Sequence, residues 1–210
     1  KFVCLNLLDP HVPYDPPLEY VQKLYDIDQK PDVCVDPKKY NAGVREIPDE
    51  EWESIRMLYD AEIRYLDEQI EKFVQFLKDQ GEYEDSMIIV CSDHGELIGE
   101  HNIYGHQFGV YEELINVPLT IRHPEVNQSD SHESVELIDL FHTILEFSVP
   151  ESDKYSSERS IFNENYRTKE TDVLPYPDKT FTEYSVPMIT LHEIQQIAKS
   201  EGEKVSDESR

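Results

Sequence analysis

Cysteine is scarce in this chain, with three in 210 residues, at positions 4, 34 and 91. An odd count with no C-x-x-C spacing builds neither a disulfide framework nor a zinc site, so these read as reduced packing residues, a state that favours the cytoplasm. Long apolar runs are absent as well: none approaches the roughly 20 residues a bilayer requires, which excludes a transmembrane helix on sequence grounds. The opening run Phe2-Val3-Cys4-Leu5-Asn6-Leu7-Leu8 is broken by Asn6, met at once by Asp9, and followed by no small-residue cleavage site, so it is not a signal peptide. Positive charge is short too, at 19 Lys and Arg against 45 Asp and Glu, a formal net charge of -26. Such a surface repels nucleic acid and anionic lipid. It suits high salt, where screening shortens repulsion to about 3 Å at 1 M, as in a halophile, but equally fits an ordinary acidic protein with charged helix faces. An initiator Met is lacking, and the chain begins at Lys1 inside a strand-like run, so it is expected to be the carboxyl-terminal portion of something longer.

What remains is enough for one or two domains with a proper core. Its most informative stretch is Ser92-Asp93-His94-Gly95-Glu96, at the end of the apolar run Met87-Ile88-Ile89-Val90-Cys91. In an open α/β sheet the carboxyl ends of strands open onto the ligand crevice, so an acid and an imidazole side by side there can reach one metal ion or one anion. Gly95 then lets the chain turn sharply away. A second strand exit opens the chain, where Phe2–Leu8 is stopped by the proline-rich Asp9-Pro10-His11-Val12-Pro13-Tyr14-Asp15-Pro16-Pro17. One long helical pattern lies between. A strand, crossover, strand unit sets parallel strands with their carboxyl ends at one edge, which predicts that His11, Asp93 and His94 face a common crevice.

The long helix opens at Pro48 and Asp49 and closes at Gly81. Trp52, Ile55, Tyr59, Ile63, Leu66, Ile70, Phe73, Val74 and Leu77 recur at helical spacing and read as core, while Asp60, Glu62, Arg64, Asp67, Glu68 and Glu71 read mostly as a solvated face. Val117–Arg122 is expected as a third strand, and 135–147 as a helix with Leu137, Leu140, Phe141, Ile144 and Leu145 inward. The predicted fold class is α/β, a mostly parallel sheet flanked by helices. After Pro150 the composition shifts to Ser, Asp, Glu, Tyr and Pro until a short strand at 178–184, and 200–210 is charged, apolar-poor and expected to be disordered.

Four blocks of residues together carry a family resemblance. Asp9-Pro10-His11-Val12-Pro13-Tyr14 comes first, then Tyr59-Asp60-Ala61-Glu62-Ile63-Arg64-Tyr65-Leu66-Asp67, then Ser92-Asp93-His94-Gly95-Glu96 with Gly99-Glu100-His101, then Tyr111-Glu112-Glu113 with Val117-Pro118-Leu119. In that order they resemble the sulfatase family of the alkaline phosphatase superfamily. The resemblance runs from Phe2 to Arg122 and more faintly beyond. It implies a partial alkaline phosphatase-like fold: residues 1–150 as the later part of the catalytic α/β domain, 151–199 as a small antiparallel subdomain and 200–210 as a tail. Sulfatases of this kind use a formylglycine made from C-x-P-x-R or S-x-P-x-R, with two metal-binding Asp residues nearby, and neither pattern occurs in this sequence. The chain is therefore expected to supply half of a site, the formylglycine being supplied by a preceding half, and to be inactive alone.

The roles of single residues follow from the resemblance. Asp93 and His94 match ligands of one divalent metal ion, calcium by family resemblance, with manganese or zinc admitted because imidazole suits softer ions. His11 matches the position that hydrogen-bonds the sulfuryl oxygens or the leaving group. His106 matches a position often held by Lys, and an imidazole there carries charge only when protonated. Tyr14 and Tyr104 are read as rim residues, with Tyr14 a candidate for substrate binding. His101 is read as loop support, and His123, His132, His142 and His192 as structural. The implied reaction is hydrolysis of a sulfate monoester on a sulfated small molecule or sulfated sugar, with a phosphonate or phosphodiester hydrolase as the sister alternative and a noncatalytic anion-binding relative as the other. A sulfated polymer would be repelled by the acidic surface unless the cleft is locally positive.

Overall fold

The computed structural model describes residues 1–33, 36–126, 135–149, 160–162 and 192–200. The described residues fall into two compact units, one within Lys1–Glu84, His94–Asn116 and Ser185–Arg210, the other within Asp85–Asp93 and Val117–Tyr184. The expected strand near 178–184 and the 200–210 tail, apart from residue 200, lie outside the described residues.

The first unit is organised by α3 (Asp49–Asp79), preceded by α1 (Leu18–Leu24) and α2 (Pro37–Asn41). Pro48 precedes the first turn of α3, and Asp49, Glu50 and Glu51 place negative charge at the positive end of the helix dipole. Asp36 opens α2 by accepting the Lys38 backbone N–H at 3.1 Å. Of the expected α3 stripe Trp52 and Ile55 are core, and Leu58 and Ala61, outside that stripe, are buried with them, together with Tyr14, Tyr20, Val21 and Tyr104, while Tyr59 is partly buried against the cluster. Trp52 anchors it, meeting Tyr40 and Tyr104 edge-on at 5.0 and 5.2 Å between ring centroids. Further along, α3 outruns this aromatic core, so Ile63 and Phe73 are exposed although their spacing marks them as inward. Glu62 departs the other way: it lies on the buried side, 3% exposed.

The second unit holds the sheet. Strands β1 (Ile88–Cys91) and β2 (Leu119–Arg122) pair antiparallel, from Ile88 opposite Arg122 to Cys91 opposite Leu119. Arg122 folds back across the pair to donate to the Ser86 carbonyl at 2.6 Å. The later helix, α5 (Asp139–Ser148), starts after the expected position because the Asp139 carboxylate accepts the Glu136 N–H at 3.0 Å and so closes a turn rather than extending the helix. Its buried face is Leu140 with Thr143, and Leu137 and Phe141 point to solvent, contrary to the inward stripe.

The predicted parallel pairing is not formed among the described residues. Phe2–Leu8 runs outside any strand, with Phe2, Val3, Leu5, Leu7 and Leu8 exposed, and the described sheet contains β1 and β2 alone. A parallel strand is held by neighbours on its edges and by cover on both faces. Hydrophobic patterning marks such a strand, but only its neighbours form it. No helix among the described residues is long and apolar enough to cross a membrane.

Candidate active site

Three imidazoles gather in the first unit. His94 stacks on His106 at 4.0 Å between ring centroids and 27° between planes, and His11 approaches the same His106 at 5.3 Å. Each ring is oriented through Nδ1. That of His11 lies 2.6 Å from the Val12 carbonyl and that of His94 lies 2.8 Å from the Gly95 carbonyl. A carbonyl only accepts, so each Nδ1 carries the proton and the lone pair of the neutral ring sits on Nε2. His106 Nδ1 lies 2.9 Å from Oε1 of Glu96, whose side chain is 4% exposed. Glu96 belongs to the Asp-His-Gly-Glu stretch, yet sequence alone gave it no role.

Local chemistry fixes these positions. The Gly95 N–H donates to the Leu114 carbonyl at 2.9 Å, tying the loop after His94 to α4 (Glu112–Ile115). Gly95 is needed for this closeness rather than for a left-handed turn: a Cβ there would meet the Glu113 carbonyl oxygen at 2.0 Å. Asn41 grips the backbone just before His106, donating to the Tyr104 carbonyl at 2.7 Å and accepting its N–H at 3.0 Å. Arg56 of α3 donates to the Ile98 carbonyl at 2.7 Å and pairs with Glu100 at 3.1 Å. The 9–15 loop is held from beneath by Glu62, whose Oε1 accepts the Asp15 N–H at 2.6 Å.

Neither tyrosine lies at a rim. Tyr14 is 3% exposed, its ring edge-on to Tyr59 at 5.4 Å, and Tyr104 is fully buried. Burial first, and the Glu96 carboxylate second, hold the Tyr14 phenol well above its ordinary range. Its contacts are those of a core residue; the amphipathic ring that suits a rim packs equally well when its neighbours enclose it. His101 supports its loop as expected, stacked on Tyr111 at 3.9 Å and 3.1 Å from Glu113. His123 lies between Phe147 and Phe162 at 5.0 and 4.9 Å. His132 is outside the described residues.

Family comparison then decides the class. The family model for sulfatases matches residues 1–148.

The chain belongs to the sulfatase family.

It is 27% identical over 146 residues to the uncharacterized sulfatase YidJ of Escherichia coli (strain K12), covering 65% of this chain and 29% of that protein. It is also 27% identical over 186 residues to an arylsulfatase of Clostridium perfringens (strain 13 / Type A), covering 80% of this chain and 38% of the other. Among solved structures, the phosphonate monoester hydrolase SpPMH from Silicibacter pomeroyi superposes with a TM-score of 0.54 at 26% identity, over 66% of this chain and 32% of that one. The chain thus spans about a third of the length of these relatives. Its fold is a partial α/β alkaline phosphatase-like fold, and it is related to hydrolases of that class.

The sulfatase family usually carries a divalent metal. Among the described residues no three His, Cys, Asp or Glu side chains converge as a metal shell. The donor chemistry of Asp93 and His94 suits half of one: a carboxylate next to an imidazole whose Nδ1 proton is already given to a carbonyl, which fixes the tautomer that binds metal through Nε2.

Proposed function

We propose that this chain contributes the anion-holding side of a sulfate monoester hydrolase acting on a sulfated small molecule or sulfated sugar. The observation that carries the reading is the array His11, His106, His94 backed by Glu96. In a chain with a formal charge of -26, imidazoles gathered in one place offer an anion ring N–H donors. His106 takes the place of the family's usual Lys, its Nδ1 on Glu96 and its ring stacked on His94. In its doubly protonated form His11 keeps Nδ1–H on the Val12 carbonyl, hydrogen-bonds the sulfuryl or leaving oxygen through Nε2–H, and gives that proton to the departing alkoxide. Asp93 and His94 hold one divalent ion, calcium, manganese or zinc; when bound, it neutralises charge on the nonbridging oxygens. The nucleophile, a formylglycine in this reading, is contributed by a part of the protein outside this sequence.

A phosphonate monoester hydrolase is the second reading, favoured by the structural likeness to SpPMH. Both esters present a tetrahedral anion with an oxygen leaving group, which the same donors would serve. The test is turnover of an aryl sulfate against an aryl phosphonate monoester by the protein at its natural full length, loaded in turn with calcium, manganese and zinc. Preference for the sulfate supports the first reading, preference for the phosphonate replaces it with the second, and turnover of neither with any metal sinks both.

A further inference from the structure

Glu62 stands apart from its helix. Acids on a long amphipathic helix ordinarily face water, yet this one is 3% exposed. Its Oε1 accepts the Asp15 N–H at 2.6 Å, across 47 residues of sequence, and its Oε2 is buried without a hydrogen-bond partner among the described residues. Among the described residues no cation compensates it. The ionisable groups facing it are the Asp9 and Asp15 carboxyls of the loop and the Tyr59 phenol one turn back on α3. Lys30, the nearby cation, is committed to the Asp15 side chain, and Lys23 of α1 pairs with Glu68. A buried carboxylate that spends its one strong hydrogen bond on a loop backbone is costly as scaffold. The loop it holds is the one that carries His11.

We propose that Glu62 is a positioning residue: from the buried side of α3 its carboxylate holds the backbone of the 9–15 loop and thereby sets His11 against His106. The inference rests on the hydrolase reading only where turnover is measured. Its chemistry sets a direction with pH. Burial, more than any other influence, raises the Glu62 carboxyl to about 7, against the pull of the Asp15 and His11 backbone amides. Above that pH the group is an anion and a strong acceptor; below it, protonation leaves a neutral acid that holds an amide less well.

The test uses Glu62→Gln in the protein at its natural full length, because Gln keeps the shape and one acceptor oxygen but stays neutral. The ratio of wild-type to variant kcat should be about tenfold at pH 8, the scale of one weakened charge-assisted hydrogen bond, and approach one below pH 6, with KM little changed. A ratio that does not vary with pH, or a variant equal to wild type at pH 8, overturns the proposal. A second readout needs no turnover. The Asp15 amide proton of the wild type should titrate with a midpoint near that of Glu62 and lose that titration in the variant, whereas an amide that does not titrate, or titrates unchanged in Glu62→Gln, refutes the hold. If the wild type hydrolyses neither ester, the hydrolase reading fails and the amide titration alone decides the role of Glu62. Should the variant not fold, the wild-type amide titration decides it.

Discussion

His106 Nδ1 stands 2.9 Å from Oε1 of Glu96, and that carboxylate is almost completely shielded from water. The central imidazole of the array therefore leans on a buried acid, which holds the ring in one orientation and favours positive charge on it.

Removal of the ring is expected to cost more than removal of its support. His106→Ala should lower kcat/KM by roughly 10²–10³-fold, the usual loss for one donor to a developing anion, with Glu96→Gln intermediate and His106→Lys retaining more activity than His106→Ala because an ammonium restores the charge. Steady-state kinetics at fixed ionic strength would check the order. A Glu96→Gln enzyme equal to wild type would show the pairing to be idle.

Gly95→Ala tests the packing behind His94. The added Cβ would meet the Glu113 carbonyl oxygen at 2.0 Å, and a backbone atom has no rotamer to escape into. The expected loss is about 3 kcal/mol or more, a fall in Tm on the order of 6–12 °C. An unchanged melting curve would mean that α4 is free to move away.

For Glu62 the stability effect has the opposite sign to the positioning effect. Its carboxyl is raised from the ordinary value of 4.5 to about 7, so the native state binds the proton more tightly than the unfolded chain does. Its contribution is fully present below the unfolded pKa and is lost as pH rises from there through about 7. Glu62→Gln should therefore become more stable relative to wild type between pH 4.5 and 8, by on the order of 2–3 kcal/mol. Denaturant melts across that range measure it, and a difference that stays constant with pH would refute the raised pKa.

Asp93→Ala and His94→Ala, each in the protein at its natural full length, should abolish stoichiometric divalent metal and nearly all turnover while leaving the fold's far-ultraviolet signal in place. Metal analysis after desalting distinguishes the outcomes. Full metal occupancy in both variants would remove these residues from the ligand set. The 210-residue chain alone should bind divalent ions weakly, since a shell needs more donors than Asp93 and His94.

Much of this was legible in the residues themselves. Helical spacing from Trp52 to Leu77 set α3 within two residues of Asp49–Asp79, because a 31-residue periodic pattern leaves few alternatives. The Asp-Pro-His and Asp-His-Gly-Glu motifs singled out His11 and His94, and the family resemblance singled out His106, because residue type and spacing are written in the sequence. Burial and partner choice were not legible, because both depend on what lies opposite in space. Nothing in a periodic pattern says that Glu62 lies on the covered side of α3, and nothing in the loop's composition says that Tyr14 is buried in the core. Gly95 shows the same division. Sequence marks a glycine and suggests a turn, while only the approach of Glu113, eighteen residues on, shows that the missing side chain is what the structure requires. Phe2–Leu8 shows the converse: its composition suits a strand, but a strand exists only where neighbours complete its hydrogen bonds, and those come from tertiary structure.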